Sequence, residues 1–211
     1  TQLLNAHGGI EMDVTITRLS EDHFHVTSGA ATRTRDLMYL RRNLPDGMAV
    51  TDMTEEFCTI GVMGAGSRAV LSQLGGLPEI AFGHATDAHL AKADCRATRV
   101  SFVGELGWEL TVANADAPAL FDALLNGGVK PLGHNALDGC RLEKGFKHWG
   151  HELGPEVTPL EAGLGFTIDW TKPFSGKTAL EQQKRDGLRQ RLVLIQVQTD
   201  ALMLHDEPVL E

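Results

Sequence analysis

The chain has 211 residues, 42% apolar and 22% charged, with 23 glycines spread along it rather than gathered in one run. This is enough to bury a proper core as one large domain or two small ones, and it excludes a disordered polypeptide. A formal net charge of −9 argues against nucleic acid, whose binders neutralise phosphates with a clustered cationic face; the groups Arg33/Arg35/Arg41/Arg42 and Lys184/Arg185/Arg189/Arg191 lie beside acids and read as solvated faces.

From Ile10 to Thr17 the sequence alternates in period two, and after Ser20-Glu21-Asp22 the β-favouring residues His23 to Thr27 complete a hairpin. Ala31 to Leu44 carries Leu37, Leu40 and Leu44 at helical spacing and stops at Pro45-Asp46-Gly47. Val50 to Val62 reads as a further strand pair, Ser67 to Leu74 as a helix, and Ala97 to Phe102 with Glu109 to Val112 as a hairpin across a glycine turn. Ala117 to Leu125 and Ala136 to Gly145 read as helices; a short polar helix follows Pro173-Phe174-Ser175-Gly176-Lys177, and Arg189 to Gln198 reads as a strong strand. Adjacent strand pairs with helices between them predict an α+β fold of antiparallel sheets with packed helices, residues 1–187 forming one domain and 188–211 starting a second.

Cys58, Cys95 and Cys140 show no CxxC spacing, so reduced buried thiols are expected rather than a disulfide framework or zinc site. No run approaches the roughly 18 apolar residues of a membrane span, and the N-terminus has no signal pattern; a soluble cytoplasmic chain is expected. The start at Thr1 and the end at Glu211, within β-rich sequence, read as a piece of a longer protein.

Gly64-Ala65-Gly66-Ser67-Arg68-Ala69 superficially fits a dinucleotide fingerprint, but it lacks a clean βαβ unit, and the acid about 20 residues on, Asp87, ends no obvious strand. The histidine pairs His23/His25, His84/His89 and His148/His151 lack the Glu and third ligand of a metal site, so no metal is expected. No GxSxG is present. Three segments stand out instead. Asp13 is an acid on an otherwise apolar strand after Gly8-Gly9; Glu105 and Glu109 flank the glycine turn of a hairpin; and Arg141-Leu142-Glu143-Lys144-Gly145 ends a helix ahead of the aromatic turn Phe146 to Trp149. An isolated acid on such a strand costs energy unless it is partnered or functional.

In this order and spacing, with Thr158-Pro159-Leu160-Glu161-Ala162-Gly163-Leu164, these segments resemble the aminomethyltransferase (glycine-cleavage T-protein) folate-binding domain. HWGHELGPEVTPLEAGLGF at His148 to Phe166 and KPFSGKTAL at Lys172 to Leu180 are similar to the branch fused to dimethylglycine and sarcosine dehydrogenases. The resemblance implies tetrahydrofolate as ligand, with Asp13 as the catalytic carboxylate beside the folate nitrogens and Phe102, Glu109, Arg141 and Trp149 around the ligand. Arg141 would orient it through its polar groups or form a structural pair with Glu143 or Asp138. Phe102 departs from many members, which carry tyrosine there. The resemblance further implies an upstream domain holding FAD, a methylated amine as substrate, capture of the carbon as 5,10-methylenetetrahydrofolate, and a β-barrel beginning after residue 187. A standalone aminomethyltransferase or demethylase, or a non-catalytic regulatory relative, are the alternatives.

Overall fold

In the computed structural model, which describes residues 1–198 and 207–208, the alternating stretch after Gly8-Gly9 forms two strands. β1 (Gln2–Leu4) pairs antiparallel with β2 (Ile10–Asp13); after Val14 the chain changes partner, and β3 (Thr15–Arg18) pairs with β4 (Phe24–Thr27). The hairpin expected around Ser20-Glu21-Asp22 is β3–β4. β1 is too short for an alternation to announce it. Its register with β2 slips once: Leu3 faces Met12 while Leu4 faces Ile10, so Glu11 is the extra residue of a β-bulge.

A four-stranded antiparallel sheet follows, ordered β5-β8-β7-β6, from β5 (Phe57–Met63), β6 (Ala85–Leu90), β7 (Ala93–Thr98) and β8 (Gly107–Ala113). Alternation along β8 sends Trp108, Leu110 and Val112 to one face, where they are buried with Leu71 of a helix at Ser67–Gln73 and with Leu120 and Leu124 of a helix at Ala117–Asn126. Each such leucine stabilises the fold by about 1.5–3 kcal/mol. A second cluster joins Leu4 and Ile10 to Leu153, Ala162 and Leu180. The remaining helices are Arg33–Asn43, entered through a 3₁₀ turn at Ala30–Thr32, then His134–Glu143 and Lys177–Asp186. We number the helices α1 (Arg33–Asn43), α2 (Ser67–Gln73), α3 (Ala117–Asn126), α4 (His134–Glu143) and α5 (Lys177–Asp186).

The α+β architecture is as expected, with three local corrections. Val50 to Val62 contributes one strand rather than two, because Asp52 accepts from the backbone and hydroxyl of Thr54 and pairs with Arg33, which turns the segment before Phe57. β6 went unread because its hairpin to β7 turns through Ala91 and Lys92, both at positive φ (48° and 73°), without the Asn-Gly or Asp-Gly that flags such turns. Arg189 to Gln198 forms no strand: Leu192 N donates to Glu161 O at 2.9 Å, and Val193, Leu194 and Ile195 are exposed. Strand-favouring side chains form a ladder only where a neighbouring strand supplies the other half of its hydrogen bonds. The rest of the expected second domain lies largely outside the described residues.

The glycine pair has a packing reason. Gly8 adopts φ +86°, and Gly9 lies so close to the Pro155 carbonyl that a Cβ would sit 1.7 Å from its oxygen. Gly9→Ala must push the residue 154–157 loop off β2, whose Ile10 N–H it accepts; we expect a loss of at least about 1–3 kcal/mol, read from urea denaturation, and an unchanged midpoint would show that this approach is not needed.

Candidate functional site

Asp13 ends β2 and is half-buried. Its cross-strand neighbour Gln2 donates from Nε2 to Oδ1 at 3.0 Å, and Gln2 Oε1 accepts from the Thr167 hydroxyl at 3.0 Å. Burial lifts the Asp13 carboxyl above its ordinary range, with the Gln2 hydrogen bond opposing it. The acid therefore has one neutral side-chain donor and a reason to hold a proton.

Glu109 stands on the face of β8 opposite the core, registered with Gly61 and Thr98. It is half-buried, its carboxylate makes no hydrogen bond or ion pair among the described residues, and burial alone pushes its pKa upward. A carboxylate with neither full solvation nor a donor is costly. No donor among the described residues relieves it.

Arg141, on the last turn of α4, is 1% exposed. Nε donates to Asp138 Oδ1 at 2.6 Å, and Nη1 donates to the Phe146 carbonyl at 3.1 Å and to the Glu152 carboxylate. Of the two structural pairings open in the sequence, Asp138 is realised; Glu143 is exposed and makes no such bond among the described residues. Nη2 has no protein acceptor among the described residues. Burial would raise the Glu152 carboxyl, but hydrogen bonds from Arg141 and from the His148 N–H bring it below its ordinary range; Asp138 is lowered by its Arg141 hydrogen bond.

The turn after α4 carries the aromatic residues. Trp149 donates its indole N–H to Ile10 O at 2.9 Å, and the Arg35 guanidinium stacks 4.3 Å from its ring centroid. Phe102 meets the His148 ring edge-on at 5.9 Å, and His148 lies 4.8 Å from His151. Phe102, Arg141 and Trp149 are thus linked through one turn, His148 to Glu152, which reaches the strand of Asp13 at Ile10 but makes no hydrogen bond to Asp13 itself. Glu109 is placed by the sheet instead and touches none of them through a hydrogen bond. A cleft of about 300 Å³ lies beside this region, walled by Phe82, Arg99, Glu105, Lys144 and Phe146, and none of the five candidate residues borders it.

Sequence reading missed Gln2, Arg35 and Glu152. Gln2 was findable from the β1–β2 register; the other two act across turns and helices with no local signature. The Thr158 to Leu164 motif proves to be structural: buried Glu161 accepts from the Thr158 N–H at 3.0 Å in a capping box. Of the thiols, only Cys95 is buried; Cys58 is half-buried, and Cys140 is exposed on the face of α4 it shares with exposed Ala136 and half-buried Leu137. Among the described residues no helix is long and apolar enough to cross a membrane, and no group of three or more His, Cys, Asp or Glu is arranged to hold a metal ion.

The GCVT N-terminal domain family model matches residues 1–172. The chain belongs to this family. It is 40% identical to 4-methylaminobutanoate oxidase (formaldehyde-forming) of Paenarthrobacter nicotinovorans, over 99% of this chain and 27% of that protein. Human mitochondrial sarcosine dehydrogenase is 36% identical, over 92% of this chain and 24% of the relative. An aminomethyltransferase of Listeria monocytogenes is 34% identical, over 96% and 57%. The glycine cleavage system aminomethyltransferase T from Bartonella henselae superposes with a TM-score of 0.79 at 27% identity, covering 88% of this chain and 52% of that structure. The resemblance read from the sequence and the T-protein fold are both borne out: this GCVT-type domain is aminomethyltransferase-like and related to enzymes that oxidise N-methyl amines. It spans about a quarter of the amine-oxidising relatives and just over half of the aminomethyltransferase.

Removing Arg141 leaves Asp138 and Glu152 uncompensated. Arg141→Ala is expected to lose about 3 kcal/mol, the low end for breaking a buried pair, because both acids reach solvent. Both carboxyls titrate below their ordinary values, so the stability they contribute is present above those values and lost as pH falls through the lowered ones. Wild type and variant should therefore converge in acid; a gap that persists unchanged there would refute an ionic origin.

Proposed function

We propose that this domain is the tetrahydrofolate-binding part of an N-methyl amine-oxidising flavoenzyme and that it takes the released carbon as 5,10-methylenetetrahydrofolate. The observation that carries the reading is Glu109, a half-buried carboxylate with no donor among the described residues. A reduced pterin edge presents an amide-like N–H beside an exocyclic amine, the paired donors such a carboxylate accepts in charge-assisted hydrogen bonds. Arg141 supports the same fit indirectly, by holding the turn that carries His148 and Trp149. Phe102 and Trp149 offer flat apolar surface to the ligand's rings.

When bound, the reduced folate supplies two nitrogens whose N–H bonds are replaced by bonds to the carbon of an iminium, while that carbon's bond to the amine breaks and the amine leaves with the two protons. Asp13, whose burial makes its carboxylate a stronger base than an exposed one, accepts a proton from the nucleophilic nitrogen and passes it on toward the departing amine. Gln2 fixes the carboxylate's orientation and leaves its second oxygen for this transfer. In this reading the hydride removed in forming the iminium would pass to FAD held by another domain of the parent chain. Residues here do not fit that cofactor: Gly64 and Gly66 lead from an antiparallel strand into the short helix α2, outside any βαβ unit. The boundary at residue 187 belongs to the same reading; its support is that α5 is capped at Gly187 (φ +89°) and that Val193 to Ile195 beyond it are exposed.

Calorimetric titration of the full-length parent with tetrahydrofolate tests the assignment. Glu109→Ala should weaken binding by about 10- to 100-fold, the worth of hydrogen bonds to a charged group, and Asp13→Ala should abolish capture of the carbon. Absence of heat with the intact parent would defeat the proposal. A second measurement separates ligand chemistry from folding. The Glu109 carboxyl has a raised pKa, so its contribution to stability is present below its ordinary value and lost as pH rises through the raised one. Glu109→Gln should therefore melt higher than wild type at neutral pH and no higher in acid, while binding folate more weakly; a variant less stable at neutral pH would show that Glu109 has a structural partner.

A further inference from the structure

The bulge in β2 sits two residues before Asp13, and its geometry is held from outside the strand. Glu11 is the residue that the β1 register skips, and its carbonyl is taken by the Arg35 guanidinium of α1. The same guanidinium binds the Glu11 carboxylate, whose other oxygen accepts from Asn5 Nδ2 at 3.2 Å. Its flat face stacks on Trp149, which donates to the neighbouring carbonyl, that of Ile10. One turn further along α1, Tyr39 donates to Leu4 O at 3.0 Å, on the opposite strand of the slipped pair. Arg35 and Tyr39, four apart on one helix face, thus tie α1 to both strands at the bulge.

A bulge bends its strand and re-aims the side chains beyond it, and here that side chain is Asp13. We infer that Arg35 is a positioning residue for Asp13: by fixing the carbonyl and carboxylate of the bulged Glu11 and packing on Trp149, it sets the direction in which the Asp13 carboxylate leaves the strand. The inference rests on the reading of Asp13 given above. Lysine cannot replace this contact, because a single ammonium lacks the planar fork that spans a carbonyl and a carboxylate while stacking on an indole.

In the full-length parent, sarcosine, N,N-dimethylglycine and 4-methylaminobutanoate serve as donor probes, and the one that reduces the flavin is used. Products are partitioned between free formaldehyde and methylenetetrahydrofolate. Arg35→Met is expected to slow capture by about 10- to 100-fold, the scale set by misplacing a reacting group by about an ångström. Free formaldehyde should rise in proportion, while flavin reduction and the tetrahydrofolate Kd stay within about threefold of wild type. Arg35→Lys should fall between the two, and it carries the test by itself if Arg35→Met does not fold. Wild-type partition in both variants, or a Kd that weakens in step with capture, would overturn the inference. Asp13→Asn is the control that keeps the two claims apart. Loss of capture in Asp13→Asn with normal partition in the Arg35 variants sinks only the positioning role. Normal capture in Asp13→Asn removes the reading of Asp13 itself.

Discussion

A guanidinium with almost no access to water holds the arrangement together. Arg141 binds Asp138 on its own helix and reaches across the following turn to the Phe146 carbonyl and Glu152, while Glu152 accepts the N–H of His148. A buried charge persists only where acceptors surround it, so the end of α4 and residues 146–152 must keep one conformation. That conformation brings Trp149 to the Ile10 carbonyl and His148 to the edge of Phe102. Asp13 lies three residues along from Ile10 on the same strand. The strand that carries this acid is thus contacted by a turn whose conformation is set by an ionic cluster late in the chain.

The carboxylates of the region divide by how well they are satisfied. Glu152, Asp138 and Glu11 are met by guanidinium groups, and Glu161 by a backbone N–H. These hold the fold. Asp13 has one amide donor and Glu109 none among the described residues, and burial raises both. Stability alone would favour amides or apolar residues at those two positions. Their carboxyls therefore cost the fold stability that the protein's own contacts do not return.

Helix-period and capping signals were legible in the sequence: all five helices fall close to where spacing, proline stops and terminal glycines place them. The β8 strand and its glycine turn were legible too, since alternation around Trp108, Leu110 and Val112 is strong. What escaped was pairing. β1 has three residues, β6 leads into a two-residue turn without glycine, and the run Arg189 to Gln198 has the side chains of a strand with no neighbouring strand among the described residues. Phe102, Arg141 and Trp149 were recognised by motif and meet at one turn, whereas Asp13 shares only a strand with Ile10, which that turn contacts. Glu109 was recognised from the same kind of motif and is positioned separately. The supporting contacts of Gln2, Arg35 and Glu152 were hidden because each joins elements distant in sequence, and side-chain contacts of that kind leave no period to read.

The hydrophobic interior is divided between a sheet-and-helix cluster around Trp108 and Leu110 and a smaller one around Ile10 and Leu180. Two modest cores need not open together. Amide exchange should resolve them as separate cooperative units, with slow protons on β7 and β8 and faster ones on β1, β2 and the residue 149–157 loop, which leans on the smaller cluster. The acid at the end of β2 then sits in the more readily opened unit and Glu109 in the more durable one, so any molecule gripping both would link two equilibria that the bare chain keeps independent.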